Sequence, residues 1–347
     1  MKIDGLSKKI KVSFLNDLGD FGFNNFFHVS NDYLVGEKRL FGTYYIPYLS
    51  EMIGLKNEKS MVNIGNAFLF GRAFVISQDQ VLDNREKPNI DYLLLSPVLL
   101  EEFIYKLYAS IKKFNLEKEI RRILFDSVMA NKNEQNEHKN KITSYSKKDL
   151  QSLYLKTGIV GIPPIIICCL VNKPQHKNRL LSIARNLLVC IQICDDLSDV
   201  AEDYNSKNFT LPVTHGILLS GDNKINIESV YEGLLLGGLL ESLCTFIITS
   251  LNKIIRDIKK ISNKETQMKL YVLNLKSRIE EILKNIKEIK TKKGINASYQ
   301  EDFTKLKPLK EVGEYRSMIH LLKKFEPANI APNKLIRLKR ICRQRKT

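Results

Sequence analysis

Leu187–Pro212, LLVCIQICDDLSDVAEDYNSKNFTLP, decides how the rest of the chain is read. It opens on the apolar run Leu187-Leu188-Val189-Cys190-Ile191 and closes on a ladder of acids: Asp195, Asp199 and Asp203, with Asp196 and Glu202 beside them. On an α-helix, residues four apart share one face, with neighbours about 6 Å apart. Like charges stacked in that way repel and call for a compensating cation. No Arg or Lys stands at helical spacing within the ladder, and Lys207 comes only after it. Hard divalent cations, Mg²⁺ above all, prefer carboxylate oxygens and often share their coordination with substrate phosphates. A solvated acidic helix end is the alternative reading. The apolar run feeding straight into the acids argues instead for a buried helix that opens onto a cavity.

QICDDLSDVAED resembles the second aspartate-rich motif of the class I isoprenoid synthases, the superfamily of trans-prenyl diphosphate synthases and terpene synthases. SKNFTLP is similar to the segment after that motif in prenyl synthases, where a Lys precedes Thr-Leu-Pro. Squalene and phytoene synthases carry a comparable ladder, so the branch stays open at this point.

Three upstream stretches fit the same resemblance. VGEKRLFG (35–42) is similar to the prenyl-synthase GGKRLRP segment that holds the diphosphate of the five-carbon acceptor. Lys38 and Arg39 match it, whereas Phe41 stands where the family has a second Arg and Gly42 where it has Pro. An Arg fork grips a diphosphate bidentately, which Phe cannot do. Residues 61–83 read as a mostly apolar helix ending in Asp79 and Asp83, the counterpart of the first aspartate-rich motif, with Gln78 in the place of its leading Asp. Arg85 follows, before Lys87-Pro88, and Gly71 occupies the position of the family's His. Lys156 and Thr157 match a Lys-Thr pair whose Lys contacts the allylic diphosphate. Gly158 and Gly161 permit close approach of helices, and Pro163 is expected to kink the helix that contains it.

Elsewhere the chain reads as helix and connection. Leu95, Val98, Leu99, Phe103, Leu107, Ile111 and Phe114 recur at helical spacing and are read as core, as are Phe70, Phe74 and Tyr154. NKNEQNEHKNKITSYSKKD (131–149) lacks periodicity and is expected to be an exposed loop. Beyond Pro212 long Lys/Ile/Leu helices run to about Lys293, and NKLIRLKRICRQRKT ends the sequence as a basic tail.

Composition limits the function classes. Lys plus Arg is 55 against 38 for Asp plus Glu, a formal charge of +17, which suits nucleic acid, anionic membrane or a polyanionic small molecule. No zinc-finger, RNP or helix-turn-helix pattern occurs and Trp is absent, so nucleic acid ranks last of the three. There is no GxGxxG, no P-loop and no β pattern of consequence. The six cysteines include no CxxC pair or Cys/His metal spacing and read as reduced thiols of a cytoplasmic protein. MKIDGLSKKIKVSF lacks the apolar core of a signal peptide. The longest apolar run, 158–171, falls short of the ~20 residues that span a bilayer.

These readings set definite expectations. The fold is all-α, a single large antiparallel helical bundle around a central apolar cavity, with residues 1–300 as the synthase domain and 301–347 as a basic extension. The resemblance implies that Asp79, Asp83, Asp195 and Asp199 are catalytic. With Asp203 they are the Mg²⁺ ligands, while Lys38, Arg39, Arg85, Lys156 and Lys207 hold the substrate diphosphate. The substrate is a prenyl diphosphate of the farnesyl or geranylgeranyl class. Its ionisation would give an allylic carbocation inside an apolar chamber that excludes water. Phe41 and Gly71 leave the five-carbon acceptor site short of two groups, which favours a terpene synthase. A prenyltransferase and a non-catalytic subunit of a heteromeric synthase are the alternatives. Peripheral membrane contact through the tail and a homodimer complete the expected associations; nucleic acid is not among them.

Overall fold

The computed structural model describes residues 3–21, 35, 40–83, 90–137, 141–142, 144–145, 147–220, 226–235 and 237–292. The expected basic extension 301–347 and the expected diphosphate-binding Lys38, Arg39 and Arg85 lie outside these residues, as does the side chain of Asp83. Among the described residues there is no β-strand. The helices are α1 (Ile3–Asp20), α2 (Tyr45–Ile53), α3 (Glu58–Asp83), α4 (Ile90–Ile111), α5 (Glu117–Glu137), α6 (Lys147–Lys156) and α7 (Ile162–Leu170). They continue with α8 (Lys177–Ser198), α9 (Val200–Asn205), α10 (Leu211–Ser220), α11 (Ile227–Leu235), α12 (Leu239–Ile261) and α13 (Gln267–Lys292). The all-α expectation holds. No single described helix is long and apolar enough to cross a membrane.

Helix boundaries follow local chemistry. Asn57 caps α3 by accepting the Ser60 amide at 2.9 Å, and Asn226 caps α11 through the Ser229 amide at 2.8 Å. Gly54 (φ +86°) ends α2 in the left-handed conformation that glycine adopts without a Cβ clash, its N–H bonded to the Ser50 carbonyl at 2.8 Å.

The chain divides into two compact units. The first comprises Met1–Met129, Leu155–Arg185 and Ile255–Tyr271. In it α3 packs along α4 and against α1, where Phe14 and Phe70 meet edge to face at 5.0 Å and Gly65 admits Ile10. Lys106 joins the α1 and α4 sides through Asp17 (2.7 Å), which also accepts the Asn66 amide at 2.6 Å. Tyr45 is fully buried on α2, and its hydroxyl donates to the Val160 carbonyl at 2.8 Å.

The second unit comprises Ala130–Tyr154, Asn186–Ile254 and Val272–Thr347, of which the described part ends at Lys292. Its core takes Leu187, Cys190, Ile193 and Leu197 from α8 and Leu243, Ile247, Leu251 and Ile254 from α12. Helices α10 and α11 approach so closely that any Cβ on Gly233 would overlap the Gly216 carbonyl. An open groove of about 890 Å³ lies between α12 and α13, lined by Thr245, Ile248, Thr249, Leu283, Lys284 and Lys287 among others, and it includes none of the expected site residues.

Two expectations need correction. The stretch 131–149 is not a loop throughout: α5 continues to Glu137 and α6 begins at Lys147. Polar residues without an apolar stripe extend a helix already nucleated on a buried face, here Ile120, Ser127 and Ala130. Pro163 does not kink a helix either. The backbone turns earlier, at Thr157 (φ −107°, ψ 46°) and the 3₁₀ turn Gly158–Gly161, so that Pro163 and Pro164 fall in the first turn of α7. Proline is tolerated there because no intrahelical N–H bond is lost.

Candidate functional site

The ladder occupies the C-terminal end of α8 and the short α9. Leu187, Leu188, Val189, Cys190, Ile193 and Leu197 are buried on α8, with Asp195 and Asp196 set just before Leu197 and Asp199 just after it. The expected single helical stripe is broken at Asp199 (φ −101°, ψ 10°), which ends α8 and precedes α9. The Asp199 amide still bonds the Asp195 carbonyl (3.0 Å) and the Asp203 amide the Asp199 carbonyl (2.9 Å), so the helical register survives the bend. Ser198 contributes to it, its hydroxyl bonding back to the Cys194 carbonyl at 2.9 Å.

The acids differ in environment. Asp195 and Asp199 are half-buried, and Glu202 is exposed. Asp196 is buried, at 7% exposure, and accepts the Gln192 amide at 2.7 Å. Asp203 holds the following turn: its two carboxylate oxygens accept from Asn208 Nδ2 and Thr210 Oγ1, each at 3.1 Å. Its carbonyl accepts the Asn208 amide at 2.8 Å, while Lys207 sits at φ +55° with its amide on the Tyr204 carbonyl at 3.1 Å. That pair of bonds is a Schellman motif with Lys in the position usually taken by Gly. The exposed Lys207 is thus set at the tip of a pinned turn.

Tyr145 is the residue that sequence reasoning missed. It lies in the stretch expected to be exposed, yet it is buried, and its backbone N–H donates to Nε2 of the fully buried His215 at 3.1 Å. That bond places the imidazole proton of a neutral His215 on Nδ1. Burial, and after it the charges of Glu134, Asp196, Asp149 and Asp203, push the Tyr145 phenol far above its ordinary range. The phenol therefore stays neutral in the field of those four carboxylates. An isolated Tyr in a polar run gives no periodic signal by which to find it. Cys194, next to the ladder, has its thiol pushed up by burial first and then by Cys190, Cys244, Asp195 and Asp196.

Of the remaining expected residues, the described ones, Asp79, the backbone of Asp83 and Lys156, lie in the first unit. Asp79 is exposed near the end of α3, and Gln78, in the place of the family's leading Asp, donates its amide to the Ser96 hydroxyl. Lys156 ends α6, where its carbonyl accepts the Ser127 hydroxyl. A Cβ at Gly158 would lie 3.0 Å from the Ile123 carbonyl oxygen, which accounts for glycine there; at Gly161 it would meet only Leu181 at 3.5 Å.

Two departures from the family pattern are packing positions. Phe41 is buried and meets Tyr45 edge to face at 5.0 Å. Gly71 is closed in: a Cβ there would lie 3.0 Å from both Ile159 Cγ2 and Phe103 Cδ2.

The donor set at the ladder is hard carboxylate oxygen, the kind Mg²⁺ takes, and Asp195 and Asp199 are half-buried. Among the described residues no three His, Cys, Asp or Glu side chains converge as a preformed metal-binding group. Any metal here would complete its shell with water or phosphate oxygens. Comparison with family models, curated proteins and solved structures finds no match to this chain.

Proposed function

We propose that this chain is a Mg²⁺-dependent class I isoprenoid synthase that ionises an allylic prenyl diphosphate and acts as a terpene synthase. The observation that carries the reading is the end of α8, where a buried apolar helix face runs into two half-buried carboxylates, Asp195 and Asp199, one turn apart. Asp79 and Asp83 are the counterparts on the first motif, with Lys38, Arg39, Arg85, Lys156 and Lys207 as the cations for the diphosphate. Bound Mg²⁺ would supply the Lewis acidity that stabilises a departing diphosphate. Asp195 and Asp199 would hold it. Asp203, already engaged by Asn208 and Thr210, serves first to fix the turn that carries Lys207.

The preference for a terpene synthase over an elongating enzyme rests on Phe41 and Gly71. One is a core aromatic where the acceptor site needs an Arg, and the other is a crowded packing glycine where it needs a His. The test is incubation of the full chain and Mg²⁺ with farnesyl or geranylgeranyl diphosphate, with and without isopentenyl diphosphate. Release of diphosphate with a hydrocarbon or alcohol product, lost in Asp195→Asn and Asp199→Asn, is the expected result. A longer diphosphate formed only with the acceptor makes the chain a prenyltransferase. A second reading, a non-catalytic subunit of a heteromeric synthase, is favoured by Gln78, whose amide is committed to Ser96 where a metal-binding Asp is expected. It predicts no turnover by the chain alone.

A further inference from the structure

At the corner where α4 gives way to α5, the inward side is ordinary core: Phe103, Leu107 and Ile111 on α4, then Leu116 and Ile120 beyond the turn. The outward side is not ordinary surface. Ile104, Tyr105 and Tyr108 from the last two turns of α4, and Phe125 and Val128 from α5, are each between 46% and 74% exposed. Between them in sequence stand five exposed cations: Lys112 and Lys113 in the 3₁₀ turn Lys112–Phe114, then Lys118, Arg121 and Arg122 on α5. All ten belong to the first unit. Lys118, Arg121, Arg122, Phe125 and Val128 recur every three to four residues, so α5 carries them on one face about 15 Å long. Single exposed apolar residues need no explanation, but apolar residues gathered among cations mark a surface built for contact.

Charge and apolarity together indicate the occupant. Among the described residues of 104–128, none that stands exposed is acidic. The three acids of the stretch are half-buried. Glu119 pairs with Lys177 at 2.7 Å, Asp126 lies 3.9 Å from Arg122, and Glu117 opens α5, where the helix dipole favours a carboxylate. The outward field is therefore positive. Lys112 Nζ sits 6.0 Å from the centre of the Tyr108 ring, and Lys113 Nζ 4.8 Å from that of Phe114, so rings and ammonium groups stand side by side. A nucleic acid would give the cations their phosphates but offers no hydrocarbon to Ile104 and Val128. An anionic bilayer meets both demands: headgroup charges for Lys and Arg, acyl chains for the aliphatic side chains, and the boundary between them for tyrosine.

We propose that the α4–α5 corner is a docking face for an anionic lipid surface. Ile104, Tyr105, Tyr108, Phe125 and Val128 enter the headgroup layer, while Lys112, Lys113, Lys118, Arg121 and Arg122 hold the lipid charges. The face is distinct from the basic stretch 301–347 and uses no residue of the catalytic reading, so the two are tested separately. Each Lys or Arg at an anionic leaflet is worth roughly fivefold in partition, and salt screens that contribution.

Vesicle co-sedimentation of the full chain tests the binding, and a single tryptophan tests its place. At about 0.1 M salt the chain should partition onto phosphatidylcholine vesicles containing about a quarter phosphatidylserine, and far less onto phosphatidylcholine alone. Arg121→Gln/Arg122→Gln and Phe125→Glu should each lower that partition at least ~10-fold, with helicity by circular dichroism unchanged. The sequence contains no Trp, so Tyr105→Trp supplies one reporter. Its emission should shift to the blue on the anionic vesicles and be quenched by brominated phosphatidylcholine within them. Absence of binding overturns the proposal. Binding that survives both sets of substitutions, or that leaves the reporter unquenched, places the contact elsewhere on the chain and overturns it too. A blue shift that grows with protein concentration without lipid would show that a second copy covers the face. A reporter that responds to a single-stranded oligonucleotide and not to vesicles would show nucleic acid there; either result refutes the lipid assignment.

Discussion

Asp203 offers the sharpest test of how the acidic ladder is divided between structure and chemistry. Both of its carboxylate oxygens accept hydrogen bonds, from Asn208 Nδ2 and Thr210 Oγ1 at 3.1 Å, and its carbonyl closes the turn at Lys207. A hydrogen bond to a charged group contributes about 1.5–3 kcal/mol where it is desolvated. Asp203 and Asn208 are half-buried and Thr210 is buried, so solvent reduces each bond to about 1 kcal/mol. Asp203→Ala should then destabilise by about 2 kcal/mol, and Thr210→Val by about 1 kcal/mol. The double variant should show a coupling of about 1 kcal/mol, because the two groups share one bond. Urea unfolding followed by far-ultraviolet circular dichroism gives the three values, and amide exchange across 203–214 localises the effect. A coupling below about 0.3 kcal/mol would refute the pinning of the turn by this carboxylate. If, instead, Asp203→Asn left stability and exchange unchanged while weakening Mg²⁺ binding, the residue would be a ligand first and a turn lock second.

Three further outcomes follow from the geometry. Gly71→His forces a side chain against Ile159 and Phe103 and should cost about 1–3 kcal/mol in thermal or urea unfolding, so an undiminished Tm would show that a His can be housed there. His215→Leu leaves the buried Tyr145 N–H without its acceptor and should cost about 1–2 kcal/mol and speed exchange of that amide, while His215→Gln restores part of both; equal behaviour of the two variants would sink the assignment. Burial pushes the thiols of Cys190 and Cys244 up to about 12 and that of Cys168 up to about 11, so these side chains should resist thiol reagents at pH 8 until the protein unfolds. Because these values exceed the ordinary thiol value of 9.0, the folded state keeps that stabilisation in full below pH 9 and loses it as pH rises toward the folded values. Unfolding midpoints that rose from pH 9 to 11 would contradict this sign.

The helical class and much of the core were legible in the sequence because they depend on a period of 3.6, a relation among near neighbours. Leu95, Leu99, Phe103, Leu107 and Ile111 emerge from spacing alone and are buried in α4. The same logic failed where local rules compete with tertiary contacts. Residues 131–137 have no apolar stripe but extend a helix that is anchored further back, and Pro163 marks the start of a helix rather than a bend. Spacing also presented the acids as one stripe of equivalent ligands. It gave no sign that Asp196 would be the buried member or that Asp203 would be held by residues five and seven positions on.

The sequence by itself determined an all-helical chain, the intervals between its acids, and the absence of an Arg at position 41 and a His at 71, since each of these is a matter of residue type and local spacing. Only the tertiary structure decided what occupies those places: Phe41 fills core against Tyr45, and Gly71 is enclosed by Phe103 and Ile159. It alone brought Tyr145 to His215 across 70 residues and left the second apolar face of α4 uncovered. Burial and hydrogen-bond partners are set by segments far apart in the chain, and no local pattern encodes which of them will meet.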